Sequence, residues 1–274
     1  MPHETNSQSA PNRIWTVFFM MFASVALVIF FQVILVVGFG IVEANETQIS
    51  QEYFENLPTR PEVILAGLLC NQLVMAGVVL GAVLLSKQAW RNRLDIHKIS
   101  YPAHIWIALC LTTIGFSSIV DLFLPTADSV ASIQDALQSQ SWGYRLIFMI
   151  AGSILPGICE ELLCRGYIET RLLTRWSPPA AIFVTSLFFG LLHMDIFHAI
   201  SAFFIGAWFG WLHLQTKSII PGMVCHFFNN ALSYVITIFL SYTAMSSAIN
   251  LGINLFFSLC GIGALIVFLK YQKT

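Results

Sequence analysis

The sequence predicts an all-α fold, a polytopic membrane helical bundle with about eight transmembrane helices. Of the 274 residues, 57% are hydrophobic and only 10% are charged, whereas soluble domains carry about 25% charged residues. A water-soluble fold could not cover this much apolar surface. The apolar residues also gather into segments near the ~20 residues that a helix needs to cross hydrocarbon. The formal net charge is −1 and there is no basic patch, so we expect no nucleic-acid partner.

Eight apolar segments are candidates for crossing helices. They cover residues 14–42, 62–86, 103–124, 144–174, 179–194, 197–214, 219–240 and 248–269. The first segment is longer than the 7–15-residue apolar region of a signal peptide, so we expect a retained anchor helix. The polar residues 1–13 are expected to form a short cytoplasmic tail, followed by a single membrane domain over 14–274.

The charges in the connections predict the orientation of the bundle. Every second connection is basic, with Lys87, Arg91, Arg93 and Lys98, then Arg171 and Arg175, then Lys217, and finally Lys270 and Lys273. The first connection is acidic, with Glu43, Glu46, Glu52, Glu55 and Glu62, and the third carries Asp128 and Asp135. The positive-inside rule then puts both termini in the cytoplasm. The membrane would be the plasma membrane if the source is bacterial.

Two adjacent carboxylates, Glu160 and Glu161, lie inside the fourth apolar segment. Each costs about 2.5–3.5 kcal/mol at the bilayer centre on insertion scales, so such residues indicate a functional site. Arg165 lies four residues after Glu161, on the same helix face, so these two side chains are expected to pair. Glu160 is then expected to face a cavity as a candidate general base. Pro156, one turn earlier, predicts a kink that opens such a cavity. The alternative is a purely structural Glu–Arg pair.

His193 is predicted to reach the level of Glu160. A helical hairpin turns at residues 175–179. Glu160 lies fourteen residues before Thr174 and His193 fourteen residues after Pro179, or about 21 Å along a helix in each case. A glutamate and a histidine that share a water form a workable acid–base pair. The alternative role for His193 is an interhelical hydrogen bond.

His226 and Asn230 are four residues apart and share a helix face. Two such donors directed at one point could stabilise an oxyanion. By straight-helix counting His226 lies nearer the cytoplasmic end than His193, so tilt or a funnel-shaped cavity is needed to bring them together. Four other polar residues are expected to be solvated or interfacial: Asp195, His198, His213 and Lys217.

The ordered motifs resemble the CPBP family of intramembrane endopeptidases, which includes the CAAX prenyl proteases. The family pattern is EExxxR, then FxxxH, then HxxxN or HxxxD. The first part stands here as Glu160-Glu161-Leu162-Leu163-Cys164-Arg165. The second runs from Phe189 to His193, and the third from His226 to Asn230. The resemblance covers about residues 142–241.

The resemblance implies a helical bundle with its active site in a membrane cavity. Glu160, together with His193, would activate the attacking water, and His226 and Asn230 would hold the developing oxyanion. Glu161 and Arg165 would support them. The substrate would be a membrane-associated protein or peptide, lipid-modified in some family members, and membrane lipid would be the other partner.

Several alternatives stay open from the sequence. Glutamate and histidine are also zinc ligands, but there is no HExxH and Asn230 is a poor zinc ligand, so we expect no cofactor while leaving zinc or another divalent metal open. Cys164 is a second candidate nucleophile, although a buried thiol beside a carboxylate should be inert. A non-catalytic immunity or scaffold protein would keep the same motifs. A proton-coupled transporter also uses intramembrane carboxylates, but no paired repeat halves are visible.

Overall fold

The computed structural model describes residues 14–44, 56–85, 89–125, 128–240 and 247–273. Across these ranges the regular structure is helical, and they contain no strand. The all-α prediction is therefore confirmed. The predicted tail over 1–13 and most of the acidic connection after the first helix lie outside the described residues.

The helices are numbered in chain order. The longer ones are α1 (Trp15–Ala44), α2 (Pro61–Leu84), α3 (Ala103–Asp121), α4 (Asp128–Gln138), α5 (Trp142–Leu172), α6 (Pro178–Leu191), α7 (Ile196–Thr216), α8 (Ile220–Leu240) and α9 (Ser247–Tyr271). A 3-10 helix (Leu57–Thr59) precedes α2, and a four-residue α-helix (Trp90–Arg93) lies between α2 and α3. Helix α5 changes to π-helical geometry over Leu162–Glu169 and then ends in one short α-helical turn.

Seven helices of the described ranges are long and apolar enough to cross a membrane, namely all except α4 and α6. The protein is therefore an integral membrane protein. Helix α6 coincides with the predicted fifth crossing, but it has 14 residues and spans about 21 Å, less than the ~30 Å of hydrocarbon. Pro178 starts it, and Met194 with φ 55° turns the chain towards Asp195, whose side chain caps α7.

Close helix crossings bring the polar residues together. Helix α5 packs along α8, α6 along α7, α3 along α9 and α1 along α2. At the α5–α8 crossing, a Cβ added to Gly157 would lie 3.1 Å from the backbone N of Phe227. Only a glycine lets the two backbones approach this closely without displacement. This contact brings the α5 glutamates beside His226.

Candidate active site

The predicted pair between Glu161 and Arg165 is present and fully buried. Arg165 Nη1 donates to Glu161 Oε1 over 2.8 Å, and Nη2 donates to the carbonyl of Gly206 on α7 over 2.7 Å. The guanidinium also lies over the rings of Phe189 and Phe209, 4.7 Å and 5.4 Å from their centroids. This arginine therefore joins α5, α6 and α7 at one point beneath the site.

Glu160 is buried and its two carboxylate oxygens have different surroundings. Oε1 accepts a 2.9 Å hydrogen bond from Gln72 Nε2 on α2. Oε2 is buried without a hydrogen-bond partner among the described residues, and it lies 3.9 Å from His226 Nε2. One oxygen is thus fixed by a hydrogen bond, and the other is left without a hydrogen-bond partner among the described residues.

His226 lies between the two glutamates. Its Nδ1 is 3.1 Å from Glu161 Oε1, and its ring stacks on Phe209 with centroids 5.1 Å apart. Because Nδ1 faces a carboxylate oxygen that also accepts from Arg165, Nδ1 carries the proton in the neutral ring. Nε2, which faces Glu160, is then an acceptor in the neutral imidazole and a donor only in the imidazolium.

His193 lies in the turn after α6. Helix spacing allowed a direct contact with Glu160, but the described contacts of His193 are with other residues. Its Nδ1 donates to the carbonyl of Phe189 over 2.9 Å, which leaves Nε2 as the acceptor in the neutral ring. Its ring centroid is 4.2 Å from that of His198. Among the described residues, the histidine nitrogen within 4.0 Å of the Glu160 carboxylate belongs to His226 and not to His193. The reason is that α6 ends at Leu191, so His193 does not continue the helical face that was extrapolated to Glu160.

Asn230 lies one turn beyond His226 on α8. Its Nδ2 donates to the carbonyl of Gly152 on α5 at a long 3.4 Å. An amide nitrogen has two N–H donors, and this contact uses one of them. The predicted shared face with His226 is present, since both residues line one cavity.

That cavity has a volume of about 270 Å³ and is lined by residues from α3, α4, α6, α7, α8 and α9. Its polar wall near the motif residues consists of His193, His198, Ser201, His226, Asn229 and Asn230. Glu160 does not form part of this wall and lies behind His226. The expectation that Glu160 itself faces the cavity is therefore corrected: its free oxygen is next to a histidine that does.

Three residues differ from the sequence-based interpretation. His213 was expected to be solvated or interfacial, but it is buried, with Nδ1 2.9 Å from Glu169 Oε1 and Nε2 3.2 Å from Asp95 Oδ2. His198 lies against His193 at the cavity rather than in solvent. Gln72 was missed entirely, although an amide inside an apolar helix is itself a signal of a buried polar contact.

Two alternatives from the sequence were a cysteine nucleophile and a metal site. Cys164 is fully buried in the π-helical segment. Among the residues that the structure describes, no group of three or more His, Cys, Asp or Glu side chains is arranged to hold a metal ion.

Residues 141–232 match the family model described as type II CAAX prenyl endopeptidase Rce1-like. This match covers 92 of the 274 residues and agrees with the family resemblance drawn from the motifs. The matched segment includes the four candidate catalytic residues but excludes Gln72. No curated protein and no solved structure matches the chain significantly.

Proposed function

We propose that this protein is an intramembrane endopeptidase that uses Glu160 to activate the water that hydrolyses a peptide bond. The substrate is a membrane-associated protein or peptide, including lipid-modified ones. The observation that carries the proposal is the free Oε2 of Glu160, buried and 3.9 Å from His226 Nε2. A water can hydrogen-bond to both atoms at that separation, because each water contact needs about 2.8 Å.

The reaction begins when the water oxygen attacks the carbonyl carbon of the scissile bond. As the new C–O bond forms, Glu160 takes a proton from the water, and His193 assists from the cavity wall through its acceptor Nε2. The carbonyl oxygen becomes an oxyanion. When the tetrahedral intermediate collapses, the C–N bond breaks and the leaving nitrogen receives the proton that Glu160 took from the water.

The oxyanion is stabilised by His226 and Asn230 from the adjacent turns of α8. Asn230 offers the second N–H of its amide. His226 Nε2 accepts from the water in the neutral ring, and it donates to the oxyanion only after the ring has gained a second proton. Glu161 holds Nδ1 of His226, and Arg165 holds Glu161. These two residues therefore orient the ring without touching substrate.

The test is cleavage of a panel of membrane-anchored peptides by the purified protein in liposomes, with product ends mapped by mass spectrometry. We expect Glu160→Gln to lower the rate by about 10²–10⁴-fold, the usual contribution of a general base. Glu62→Gln is the matched control, because Glu62 lies in an exposed ion pair with Arg60. Full cleavage by Glu160→Gln would overturn the proposal.

Two further arms separate the alternatives. Loss of cleavage after treatment with a metal chelator, restored by zinc, would replace metal-free water activation with metal-assisted hydrolysis. Full biological function of Glu160→Gln in cells, with no proteolysis by the wild type, would favour the non-catalytic immunity or scaffold role.

A further inference from the structure

We propose that Asp121 and Gln134 form a subsite for a cationic side chain, lysine or arginine, of the peptide substrate. This inference rests on the proposed function and names a feature of the substrate that the same cavity selects. Neither residue belongs to the family motifs, and both lie outside the matched segment.

Both residues line the cavity that holds the motif histidines. Asp121 is the last residue of α3, and Gln134 lies on the short helix α4. The same cavity reaches His193 and Asn230. A peptide that occupies the cavity with its scissile bond near His226 therefore also extends towards Asp121.

Both side chains offer acceptors that the protein leaves without donors. Gln134 is 5% exposed, and its Oε1 is buried without a hydrogen-bond partner among the described residues. Asp121 has no ion pair within the described part of the chain, and no lysine or arginine lines the cavity. Asp121 is exposed and lines the cavity, so an incoming cation can reach its carboxylate. Leaving a buried acceptor such as Gln134 Oε1 unsatisfied costs about 1–3 kcal/mol, so a ligand that supplies a donor is expected there.

The position of Asp121 strengthens this interpretation. The C-terminal end of a helix carries partial negative charge, so a carboxylate there is unfavourable. A lysine ammonium brings three donors and an arginine guanidinium five, which matches a carboxylate and an amide oxygen together.

A lysine scan tests the subsite. The probe is a membrane-anchored peptide, uncharged around the cleaved bond, in which one lysine is moved along the chain position by position. We expect the wild type to prefer lysine at one or two positions, through a lower KM with similar kcat. Asp121→Asn should reduce that preference by up to about fivefold, the usual worth of an exposed ion pair. Asp121→Lys should replace the preference for lysine with a preference for glutamate. Asp135→Asn is the control, because Asp135 is exposed on α4 and does not line the cavity.

Binding of the same peptides to full-length Glu160→Gln in nanodiscs, followed by fluorescence anisotropy, separates this inference from the proposed function. Position-dependent lysine binding that Asp121→Asn removes supports the subsite even if no peptide is cleaved. Cleavage that depends on Glu160 but ignores lysine position overturns the subsite and leaves the peptidase. Binding of Ca²⁺ or Mg²⁺ that Asp121→Asn abolishes, with no lysine preference, also overturns it, in favour of an inorganic cation.

Discussion

The hydrogen bond from Gln72 distinguishes the two carboxylate oxygens of Glu160. It occupies Oε1 and holds the carboxylate so that Oε2 points towards His226. Since Gln72 comes from α2, a helix outside the matched family segment, the first part of the chain contributes directly to the geometry of the site.

Replacing Gln72 with leucine should slow peptide cleavage while the protein stays folded. A hydrogen bond to a charged group is worth about 1.5–3 kcal/mol, so we expect the rate to fall by roughly 10–100-fold. Asn71→Leu is the matched control, because Asn71 lies next in sequence but bonds Gln32 on α1. Equal effects of the two substitutions on kcat would show that Gln72 contributes only to stability.

Glu161 and Arg165 should behave as one buried unit in stability measurements. Removing one partner of a buried ion pair leaves an uncompensated charge and costs about 3–5 kcal/mol. Arg165→Met and Glu161→Met should each lower the melting temperature in detergent more than the double variant does. Additive losses in the double variant would contradict the coupling.

At the scale of elements, the π-helical part of α5 connects the site to a second buried polar cluster. This segment carries Arg165 beneath the active site and Glu169 further along. Glu169 bonds His213 of α7, and His213 in turn reaches Asp95 in the connection between α2 and α3. The backbone of Asp95 also accepts from Ile219 N. The cluster therefore fastens that connection to the ends of α5 and α7.

This attachment should weaken in acid. The hydrogen bond from His213 lowers the pKa of Asp95 below its ordinary value, against the opposing effect of burial, and the nearby His213 and His97 charges act in the same direction. A carboxyl whose pKa is lower in the folded state stabilises that state above its unfolded pKa of about 3.9. This stabilisation disappears as the pH falls through the folded pKa.

Hydrogen exchange of residues 89–98 between pH 6 and pH 3 measures the effect. After correction for intrinsic exchange, we expect protection to drop below about pH 4 in the wild type. Asp95→Asn should show weaker protection at pH 6 and little further change, whereas Asp135→Asn should follow the wild type. A drop that persists in Asp95→Asn would show that Asp95 is not the group responsible.

For the whole molecule, the orientation in the membrane decides from which side substrate arrives. The cavity lies towards the face where α3 and α8 end and α7 and α9 begin, as its lining residues Asp121, Thr237, Phe197 and Ile253 indicate. If the basic connections are cytoplasmic, this face lies on the side of the membrane away from the cytoplasm.

Reporter fusions in a bacterial host test that orientation. Alkaline phosphatase fused after Asp135 should be active, and the same enzyme fused after Lys217 should be inactive. A fluorescent protein after Thr274 should fluoresce, because it folds in the cytoplasm. The reverse pattern would show that the cavity faces the cytoplasm and that the charge rule fails for this protein.

The sequence alone predicted the helical membrane class and the Glu161–Arg165 pair. Both depend on local properties: apolar content over a span of residues, and the fixed geometry that sets residues four apart on one helix face. The family motifs indicated which side chains matter. The length of α6 was harder to predict from the sequence, because the end of this helix depends on the turn at Met194 rather than on apolar content.

The tertiary structure decided the contacts that cross between helices. Gln72 reaches Glu160 from 88 positions away along the chain, and His226, rather than His193, lies beside the free oxygen because α5 and α8 touch at Gly157. The burial of His213 likewise depends on Asp95 in a distant connection. Helix periodicity fixes the direction of a side chain on its own helix. Only the packing of helices against one another determines which partner it meets.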